Sequence, residues 1–283
     1  MIRLIAIDID GTLLDSHGRL PDRNRAAIEA AVARGIHVVL VTGRSFPFAV
    51  PVARQLPAPV SLIVSNGALE RSQDGRTLAS RLLPATAAAR VLAATRDYRH
   101  CAALIFDRDA SGQIVADTMD WEVPNRKHYW LRNSHLIARS SPLDAALTED
   151  PVEVMFNGTV AEMRELAAHL AGLDEGVSVA ATEYEDRDFT LLDVTHPEAT
   201  KGRALAWRAR EMGLRPSEVM AIGDNLNDEE MLAFAGCPVL MGNAVPALLG
   251  RGWPVTASHD DAGVAAALDQ FVLQSSIPSH PIR

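Results

Sequence analysis

The chain begins with a short apolar run, Leu4–Ile7, that ends in two aspartates one residue apart, Asp8 and Asp10. An apolar run bounded by polar residues predicts a buried strand. Side chains alternate along an extended chain, so both aspartates are expected on the same side where the strand ends. Two carboxylates held this close repel each other unless a cation or a shared proton compensates their charge. The pattern suits Mg²⁺, which is bound by one or two carboxylates together with substrate phosphate.

Two other interpretations of this segment compete with a magnesium site. An EF-hand calcium loop needs glycine at its sixth position and glutamate at its twelfth. Counted from Asp8, those positions are Leu13 and Arg19, so the calcium loop is excluded. An ordinary acidic turn is the remaining alternative on this segment alone, and the motifs further along the chain argue against it.

Length and hydrophobicity indicate a soluble globular protein without a membrane partner. The 283 residues can form one large domain or two smaller ones, and 48% of them are hydrophobic. No apolar run approaches membrane-spanning length, and the first apolar segment is too short for a signal peptide. A cytoplasmic location is therefore expected. The two cysteines, Cys101 and Cys237, lack metal-ligand spacing and are interpreted as buried thiols.

The charge of the chain restricts its partners. The formal net charge is −9 and no basic stripe is visible, which argues against a nucleic-acid partner. A small anionic substrate remains compatible with an acidic protein, because a local site can be positive. We expect a monomer or a weak homodimer.

The first and last parts of the chain alternate strand and helix patterns, which predicts a parallel sheet with helices on both faces. Near the N-terminus the predicted strands and helices are Leu4–Ile7, Pro21–Arg34, Ile36–Val41, Phe46–Gln55 and Val60–Ser65. The alternation resumes in the last third, with predicted elements at Thr200–Met212, Val219–Ile222, Asn227–Ala235, Pro238–Met241 and Ala262–Leu273.

The middle of the chain has a different pattern of predicted strands and helices. It contains a predicted hairpin, Ala102–Phe106 with Gln113–Ala116, and further predicted elements at Ala85–Thr95, Val152–Phe156, Val160–Ala171 and Val177–Ala181. The fold class is therefore predicted as α/β, with a Rossmann-like parallel sheet core and an inserted α+β cap domain. The predicted core comprises residues 1–82 and 190–283, and the predicted cap comprises residues 83–189. The tail Gln274–Arg283 is expected to be loose.

Further polar segments follow the predicted strands of the core, where open α/β sheets place their sites. Thr42-Gly43-Arg44 follows the second strand, and its hydroxyl and backbone amides suit a phosphate oxygen. A turn into a helix explains the same three residues about equally well. An acidic loop from Asp224 to Asp228 follows a later buried strand and opens a helix. Helix capping explains one of its residues, whereas a metal site explains the whole cluster.

Lysine is unusually scarce in this chain. Lys127 and Lys201 are the only lysines among 27 lysines and arginines, which leaves 27 − 2 = 25 arginines. A coding bias toward arginine explains the imbalance, and under such a bias a retained lysine is a candidate for a role that arginine cannot fill. Lys201 lies at the start of a predicted helix, where its compact charge can neutralise a phosphate or a carboxylate.

In this order and spacing, the segments closely resemble the haloacid dehalogenase superfamily, and specifically its Cof-type phosphatase branch with a large α/β cap (class IIB). Ser65-Asn66-Gly67-Ala68 resembles the family's NGA turn, and Gly223–Met231 resembles its GDxxND…M signature. Met241–Ala244 and Val255–Val264 resemble its closing segments. The resemblance covers roughly residues 1–82 and 190–272. Ile9 replaces a commoner leucine, and the tail after Gln274 has no recognised counterpart.

The resemblance implies a Mg²⁺-dependent phosphatase that forms an aspartyl-phosphate on Asp8. Asp10 would protonate the leaving oxygen and then deprotonate the attacking water. The implied metal ligands are Asp8, the backbone carbonyl of Asp10, Asp224 and, directly or indirectly, Asp228. The implied phosphate-binding residues are Thr42, Gly43, Lys201 and Asn227, and the possible substrate contacts are Arg44 and Asn66. Arg44 could instead pair with an acidic neighbour.

The implied substrate is a small phosphorylated metabolite of the sugar phosphate, nucleotide or pyridoxal phosphate type. A phosphosugar mutase uses the same aspartyl-phosphate chemistry and is the alternative within the family. It would need a second phosphate site, which Arg126, Lys127 and Arg132 could form, although a solvated face is the favoured interpretation of these residues. A non-catalytic phosphometabolite-binding protein is the second alternative, and it predicts a missing nucleophile or metal ligand.

The cap is expected to determine substrate specificity. Its candidate segments are Trp121–Trp130 and Thr182–Asp188, because aromatic rings there suit a stacked substrate ring. Closure of the cap predicts hinges near Leu83–Pro84 and Asp188–Leu191.

Overall fold

A computed structural model describes residues 1–57, 60–108, 111–172 and 176–273. The tail Gln274–Arg283, for which the sequence predicts a loose segment, lies outside these residues. Within the described ranges, no helix combines the length and the apolar character that a membrane crossing needs.

The strands of the described chain are short. In chain order they are β1 (Leu4–Asp8), β2 (His37–Val41), β3 (Val60–Val64), β4 (Leu69–Ser72), β5 (Thr77–Ser80), β6 (Ala102–Ile105), β7 (Ile114–Ala116), β8 (Ile137–Arg139), β9 (Glu153–Gly158), β10 (Ser178–Tyr184), β11 (Phe189–Thr195), β12 (Val219–Gly223) and β13 (Cys237–Leu240).

The α-helices follow the same order. They are α1 (Asp22–Ala33), α2 (Phe46–Ala53), α3 (Ala85–Ala94), α4 (Pro124–Asn133), α5 (Val160–Ala171), α6 (Lys201–Glu211), α7 (Glu229–Phe234), α8 (Pro246–Leu249) and α9 (Gly263–Leu268). The predicted helix Asn227–Ala235 divides into a 3₁₀ turn, Leu226–Asp228, followed by α7.

The chain forms two compact units. The first contains residues 1–80 and continues from Thr200, and the second is Arg81–Ala199. The predicted boundary between residues 189 and 190 therefore differs from the observed one. The reason is β11, which the sequence pattern does not indicate as a strand and which pairs with β9 and β10 in the second unit's sheet.

The first unit contains the predicted parallel sheet. Its strand order is β13-β12-β1-β2-β3-β4-β5, and every pairing from β13 to β3 is parallel. Leu4 and Ala6 of β1 pack in one core cluster with side chains of α6 and α7. Ile5 and Ile7, which alternate with them, are also fully buried, so both faces of the sheet are covered. The predicted α/β fold class is confirmed.

An antiparallel pair, β4 and β5, extends the first sheet at one edge. The sequence does not indicate these strands, because β4 contains the charged residues Glu70 and Arg71. Both are buried, and Glu70 forms an ion pair with Arg208 of α6. Tertiary pairing therefore overrides the low strand propensity of the charged residues.

The second unit has a six-stranded sheet of order β10-β11-β9-β6-β7-β8, antiparallel except for β7 with β8. The predicted hairpin of β6 and β7 is present, although residues 109 and 110 of its connection lie outside the described ranges. Val91 of α3 and Leu166 of α5 pack against Val154, Phe156 and Leu192 to form this unit's core. This unit is α+β in character, and its role in substrate selection stays a prediction.

The predicted hinge at Asp188–Leu191 is wrong. Asp188 lies in the turn between β10 and β11 with a left-handed backbone (φ +43°), and Thr190 and Leu191 belong to β11. This segment is therefore held within the second unit's sheet, and it does not join the two units.

Candidate active site

The carboxyl ends of the parallel strands carry the predicted site residues. Asp8 ends β1, Thr42 follows β2, Asn66 lies just beyond β3, and Asp224 follows β12. Because β12, β1, β2 and β3 are neighbours in one parallel sheet, their carboxyl ends lie along the same edge. This topology brings together motifs that lie far apart in the sequence.

A buried lysine links two of the predicted aspartates. Nζ of Lys201 lies 2.7 Å from Oδ1 of Asp8 and 2.7 Å from Oδ1 of Asp228. The side chains of Lys201 and Asp228 are 2% and 0% exposed. Buried charges are tolerated when they are paired and hydrogen-bonded, so the ammonium compensates these two carboxylates where water cannot.

The start of α6 fixes the position of Lys201. Thr200 caps the helix, and its Oγ1 accepts a hydrogen bond from the Arg203 amide at 3.1 Å. Gly67 approaches the same point with a positive φ of 104°, and a Cβ added there would lie 2.4 Å from the Thr200 carbonyl oxygen. Only glycine permits this approach, which explains why the predicted NGA turn and Lys201 lie side by side.

The charges in this cluster shift each other's pKa values. Burial lowers the pKa of Lys201, but the carboxylates of Asp228 and Asp8 outweigh burial, so the net pKa is raised and the ammonium form is favoured. Burial raises the pKa of Asp8, with smaller contributions from the charges of Asp228 and Asp224, and the Lys201 ammonium opposes the shift. Asp8 is thus a carboxyl whose ionised form needs positive charge close by.

The acidic loop after β12 is organised around Asp228. Its Oδ2 accepts hydrogen bonds from the backbone amides of Asp224 and Asn225, at 3.0 and 3.1 Å, while its Oδ1 accepts from Lys201. A Cβ added at Gly223 would lie 2.7 Å from this carboxylate. Asp228 therefore acts on the loop as a structural anchor as well as a charge, and its predicted role as a metal ligand stays a prediction.

Asp224 lies against the turn that follows β1. Its Oδ1 accepts a hydrogen bond of 2.8 Å from the Thr12 hydroxyl, and a Cβ added at Gly11 would lie 2.4 Å from its Oδ2. Burial, with help from the charge of Asp228, raises the pKa of Asp224 to about 6. Thr12 is not among the predicted site residues. Its position two residues after Asp10, in the same motif, is the sequence feature that could have identified it.

The donor set fits a hard divalent cation. One carboxylate oxygen from each of Asp8, Asp224 and Asp228 lies within 4.8 Å of the other two. Oxygen ligands of this kind are those that Mg²⁺ prefers. Burial, together with the charges of neighbouring carboxylates, raises the pKa values of Asp8 and Asp224, and a bound cation would favour their ionised forms.

Asn66 connects the predicted phosphate-binding residues Thr42 and Gly43 with Asn227. The hydroxyl of Thr42 accepts a hydrogen bond from the Arg44 amide at 3.1 Å, which leaves its own proton to donate. The carbonyl of Thr42 accepts from the Asn66 amide at 3.1 Å. Asn66 Oδ1 in turn accepts from the Asn227 side chain at 3.3 Å, and a Cβ added at Gly43 would lie 3.1 Å from that same oxygen.

Asp10 is turned toward Arg44 in this structure. Nε and Nη2 of Arg44 donate to the two oxygens of the Asp10 carboxylate, at 2.7 and 2.5 Å. The interpretation that Arg44 pairs with an acidic neighbour therefore describes the observed geometry. A two-bond arginine–carboxylate pair has a defined geometry, so Arg44 fixes the orientation of the Asp10 carboxylate.

Asn243 holds the turn that carries Asp10, and it is not among the predicted site residues. Its Nδ2 donates to the Gly11 carbonyl at 2.8 Å, and its Oδ1 accepts from the His259 amide at 2.9 Å. The ring of His259 also lies 3.1 Å from the Leu14 carbonyl through Nδ1. The sequence feature that could have identified Asn243 is its position in one of the closing segments that resemble the family.

The two predicted specificity segments meet inside the second unit. Tyr129 of the first segment stacks on Trp121 at a ring distance of 6.0 Å and lies 6.1 Å from Phe189. Phe189 also packs on Tyr184 of the second segment at 6.1 Å. These rings form a continuous aromatic row. Arg187 lies over the ring of Tyr184 at one end of the row.

The candidate second phosphate site is not assembled as predicted. Arg126 is 6% exposed and donates to both the side-chain and the backbone oxygens of Asn157, each at 2.7 Å. Lys127 and Arg132 are exposed. The prediction of a solvated face thus holds for two of the three residues, and Arg126 is instead a buried structural group.

Of the two predicted buried thiols, Cys101 is buried, whereas Cys237 is half-buried on the edge strand β13.

Comparisons with known proteins identify the family of this chain. A family model for haloacid dehalogenase-like hydrolases matches residues 5–268. The chain is 33% identical over 259 residues to the HMP-PP phosphatase of Serratia proteamaculans, covering 88% of this chain and 86% of that protein. It is 28% identical over 274 residues to the 5-amino-6-(5-phospho-D-ribitylamino)uracil phosphatase YcsE of Bacillus subtilis, covering 96% of each.

The fold is shared with solved structures as well. A haloacid dehalogenase-like hydrolase from Bacteroides thetaiotaomicron superposes with a TM-score of 0.79 at 25% identity, covering 95% of this chain and 99% of that one. The family match spans both units of the chain and includes every motif from Asp8 to Val264. The chain therefore belongs to the haloacid dehalogenase-like hydrolases, in their Cof-type phosphatase branch, and is a phosphoric monoester hydrolase.

Proposed function

We propose that this enzyme hydrolyses small phosphorylated metabolites in a Mg²⁺-dependent reaction that passes through an aspartyl-phosphate on Asp8. The observation that carries the proposal is the buried cluster in which Lys201 contacts Asp8 and Asp228 while Asp224 lies within 4.8 Å. The substrate class is a sugar phosphate, a nucleotide or a phosphorylated heterocycle of the pyridoxal phosphate type. The names of the two phosphatase relatives support a small phosphorylated compound.

In the first half of the reaction, an oxygen of Asp8 attacks phosphorus and the bond to the leaving oxygen breaks. Asp10 gives its proton to that leaving oxygen. The ammonium of Lys201, the Thr42 hydroxyl and the Asn227 amide would hold the equatorial oxygens of the transferring group, where negative charge is spread. Bound Mg²⁺, held by Asp8 and Asp224 with Asp228 nearby, would supply the additional positive charge that the phosphoryl group requires.

In the second half, water attacks phosphorus of the aspartyl-phosphate. Asp10 accepts the water's proton, the Asp8–phosphorus bond breaks, and inorganic phosphate leaves with Asp8 restored. The two hydrogen bonds from Arg44 fix the orientation of the Asp10 carboxylate in this structure.

The direct test is inorganic phosphate release from a panel of sugar phosphates, nucleotides and pyridoxal phosphate, to which HMP-PP and 5-amino-6-(5-phospho-D-ribitylamino)uracil are added. The assay is run with Mg²⁺, with EDTA, and with Asp8→Asn. Asp22→Asn, an exposed aspartate at the start of α1, is the matched control. We expect metal-dependent release that Asp8→Asn abolishes and Asp22→Asn retains. Release that survives Asp8→Asn would mean that another group is the nucleophile.

The same panel separates hydrolysis from mutase chemistry. A phosphosugar mutase would return the phosphoryl group to a sugar and would depend on a bisphosphorylated activator. We expect phosphate release without any activator, in keeping with the engagement of Arg126 by Asn157. Sugar isomerisation that starts only when a bisphosphate is added would favour the mutase.

A further inference from the structure

A second cluster of metal-binding side chains lies in the second unit, outside the site described above. It consists of His100, Cys101 and Glu162, which offer a ring nitrogen, a sulfur and a carboxylate oxygen within 4.8 Å of one another. His100 and Cys101 end the 3₁₀ turn that precedes β6, and Glu162 lies in the first turn of α5. We propose that these three residues form a binding site for a thiophilic divalent cation of the Zn²⁺ type.

The donor types decide which cation the site would take. A thiolate, an imidazole and a carboxylate are all ligands of zinc, whereas magnesium prefers oxygen ligands alone. The three carboxylates near Lys201 therefore suit one class of ion, and the His100–Cys101–Glu162 cluster suits another. The proposed site does not depend on the proposed catalytic function.

The present contacts bring the ligands near the required separation. Nε2 of His100 lies 2.8 Å from Oε1 of Glu162, and the Cys101 thiol donates to the Tyr98 carbonyl at 3.0 Å. Ligand atoms around a tetrahedral zinc ion lie about 3.5 Å apart, as follows from bond lengths of about 2.0–2.3 Å. The separations in the structure, 2.8 Å for the His100–Glu162 pair and at most 4.8 Å for the others, bracket this value.

The cluster spans the boundary between the unit's core and solvent. Cys101 is fully buried, the Glu162 side chain is 29% exposed and the His100 side chain is 54% exposed. His100 and Glu162 also line a cavity of about 690 Å³, which His128 lines as well. An ion can therefore enter from the cavity, and a water molecule can complete its coordination.

Binding at this site exchanges a proton for the ion. Burial, together with the charge of Glu162, raises the pKa of Cys101 to about 12, so the unliganded side chain is a thiol at neutral pH. Formation of the metal–sulfur bond breaks the S–H bond, and its proton leaves to solvent. The ion is then held by the Cys101 thiolate together with Glu162 and His100, and it ties the turn before β6 to the start of α5.

Cobalt titration of the full-length protein tests the proposal, because a cobalt–thiolate bond produces a charge-transfer band in the near ultraviolet. We expect a band that saturates at one equivalent of Co²⁺, disappears when Zn²⁺ is added, and is absent from Cys101→Ser. Cys237→Ser removes the other free cysteine and is expected to retain the band. Absence of the band from the wild type, or its persistence in Cys101→Ser, would overturn the proposal.

Two surface-accessible ligands provide a test that does not replace a core residue. His100→Ala and Glu162→Gln are each expected to weaken Co²⁺ binding by more than the roughly 10- to 100-fold that loss of a supporting hydrogen bond costs. Far-ultraviolet circular dichroism checks that both variants are folded. Wild-type affinity in both variants would overturn the proposed ligand set, even if Cys101→Ser failed to fold. None of these readouts requires turnover, so they remain informative whether or not Asp8 is the nucleophile.

Discussion

At the scale of single residues, the candidate active site has more negative than positive charge. Asp8, Asp224 and Asp228 supply three carboxylates and Lys201 supplies one ammonium, so full ionisation leaves 1 − 3 = −2. Burial raises the pKa values of Asp8 and Asp224, and the neighbouring carboxylates add to this shift. A divalent cation is the partner that would neutralise the remainder.

Lys201→Met tests how much the cluster depends on its ammonium. The variant keeps a long side chain but leaves Asp8 and Asp228 buried without a cation. Removing one partner of a buried ion pair costs about 3–5 kcal/mol, so we expect the free energy of unfolding to fall by about that amount in urea denaturation with EDTA present. Phosphate release should fall by about 100-fold or more, because a charge aimed at the transferring group is lost.

The matched control is Lys127→Met, which replaces the chain's other lysine on an exposed position of α4. Exposed substitutions usually change stability by less than about 0.5 kcal/mol. Equal stability of Lys201→Met and Lys127→Met would contradict the assignment of Lys201 as the compensating charge.

At the scale of elements, the site depends on how closely two loops approach. The turn after β3 reaches the N-terminus of α6 through Gly67, whose missing side chain leaves room for the Thr200 carbonyl. The same turn places Asn66 beside Asn227. The position of Lys201 at the start of α6 is thus coupled to a glycine that is distant in the sequence.

Gly67→Ala is expected to reduce both stability and activity. The new Cβ would lie 2.4 Å from the Thr200 carbonyl oxygen, on a backbone with φ of 104°, so the turn and α6 must separate. We expect a loss of about 1–3 kcal/mol beyond that of the control, measured by urea denaturation, and a fall in phosphate release as Lys201 moves from Asp8. Gly18→Ala is the control, because Gly18 also has a positive φ (71°) but open space around it. Similar losses in the two variants would show that the close approach is unimportant.

Two carboxyls on adjacent strands of the second unit predict an unusual pH dependence. Asp193 of β11 pairs with Met155, and Glu153 of β9 pairs with Thr195, which puts the two acids on the same face of the sheet. Burial raises the pKa of Asp193 to about 7, and burial together with the charge of Asp193 raises that of Glu153. Burial raises the pKa of the Tyr129 phenol in α4, and the charges of both acids add to this shift.

A carboxyl whose pKa is higher in the folded state stabilises the fold below its unfolded pKa, and this stabilisation is lost as pH rises through the folded pKa. We therefore expect the second unit to lose stability between about pH 4 and pH 7. Asp193→Asn should reduce this loss by about 1–2 kcal/mol, since asparagine resembles the neutral acid and the site is partly exposed.

Urea denaturation followed by tryptophan fluorescence measures this difference. Trp207→Phe and Trp253→Phe remove the first unit's tryptophans, so that Trp121 and Trp130 report the second unit. Asp186→Asn, an exposed acid in the turn before β11, serves as the reference substitution. The prediction is wrong if Asp193→Asn and Asp186→Asn show the same dependence on pH.

At the scale of the whole molecule, sequence reasoning succeeds where local pattern and topology agree. The runs ending at Asp8, Thr42 and Asp224 are identifiable as strand ends, because parallel strands are apolar throughout and their sites follow them directly. The boundary at Ala199 is not predicted because β11 mixes polar and apolar residues. It is recognisable as a strand only through its pairing with β9. The contacts of Arg44 and Arg126 depend on which acid or amide the tertiary fold brings near, and no local pattern contains that information.

The two units have separate hydrophobic cores, so the effect of a ligand can be measured on the unit that binds it. Mg²⁺ that binds only the folded first unit stabilises it by about 2.7 kcal/mol at about one hundred times its dissociation constant. We expect Mg²⁺ to raise the urea midpoint reported by Trp207 and Trp253 in a protein carrying Trp121→Phe and Trp130→Phe. Asp224→Asn should remove the shift, because the proposed site loses one of its three carboxylates, and Asp22→Asn should leave it intact. A midpoint that Mg²⁺ does not move, or one that moves equally in Asp224→Asn, would contradict a magnesium site at this sheet edge.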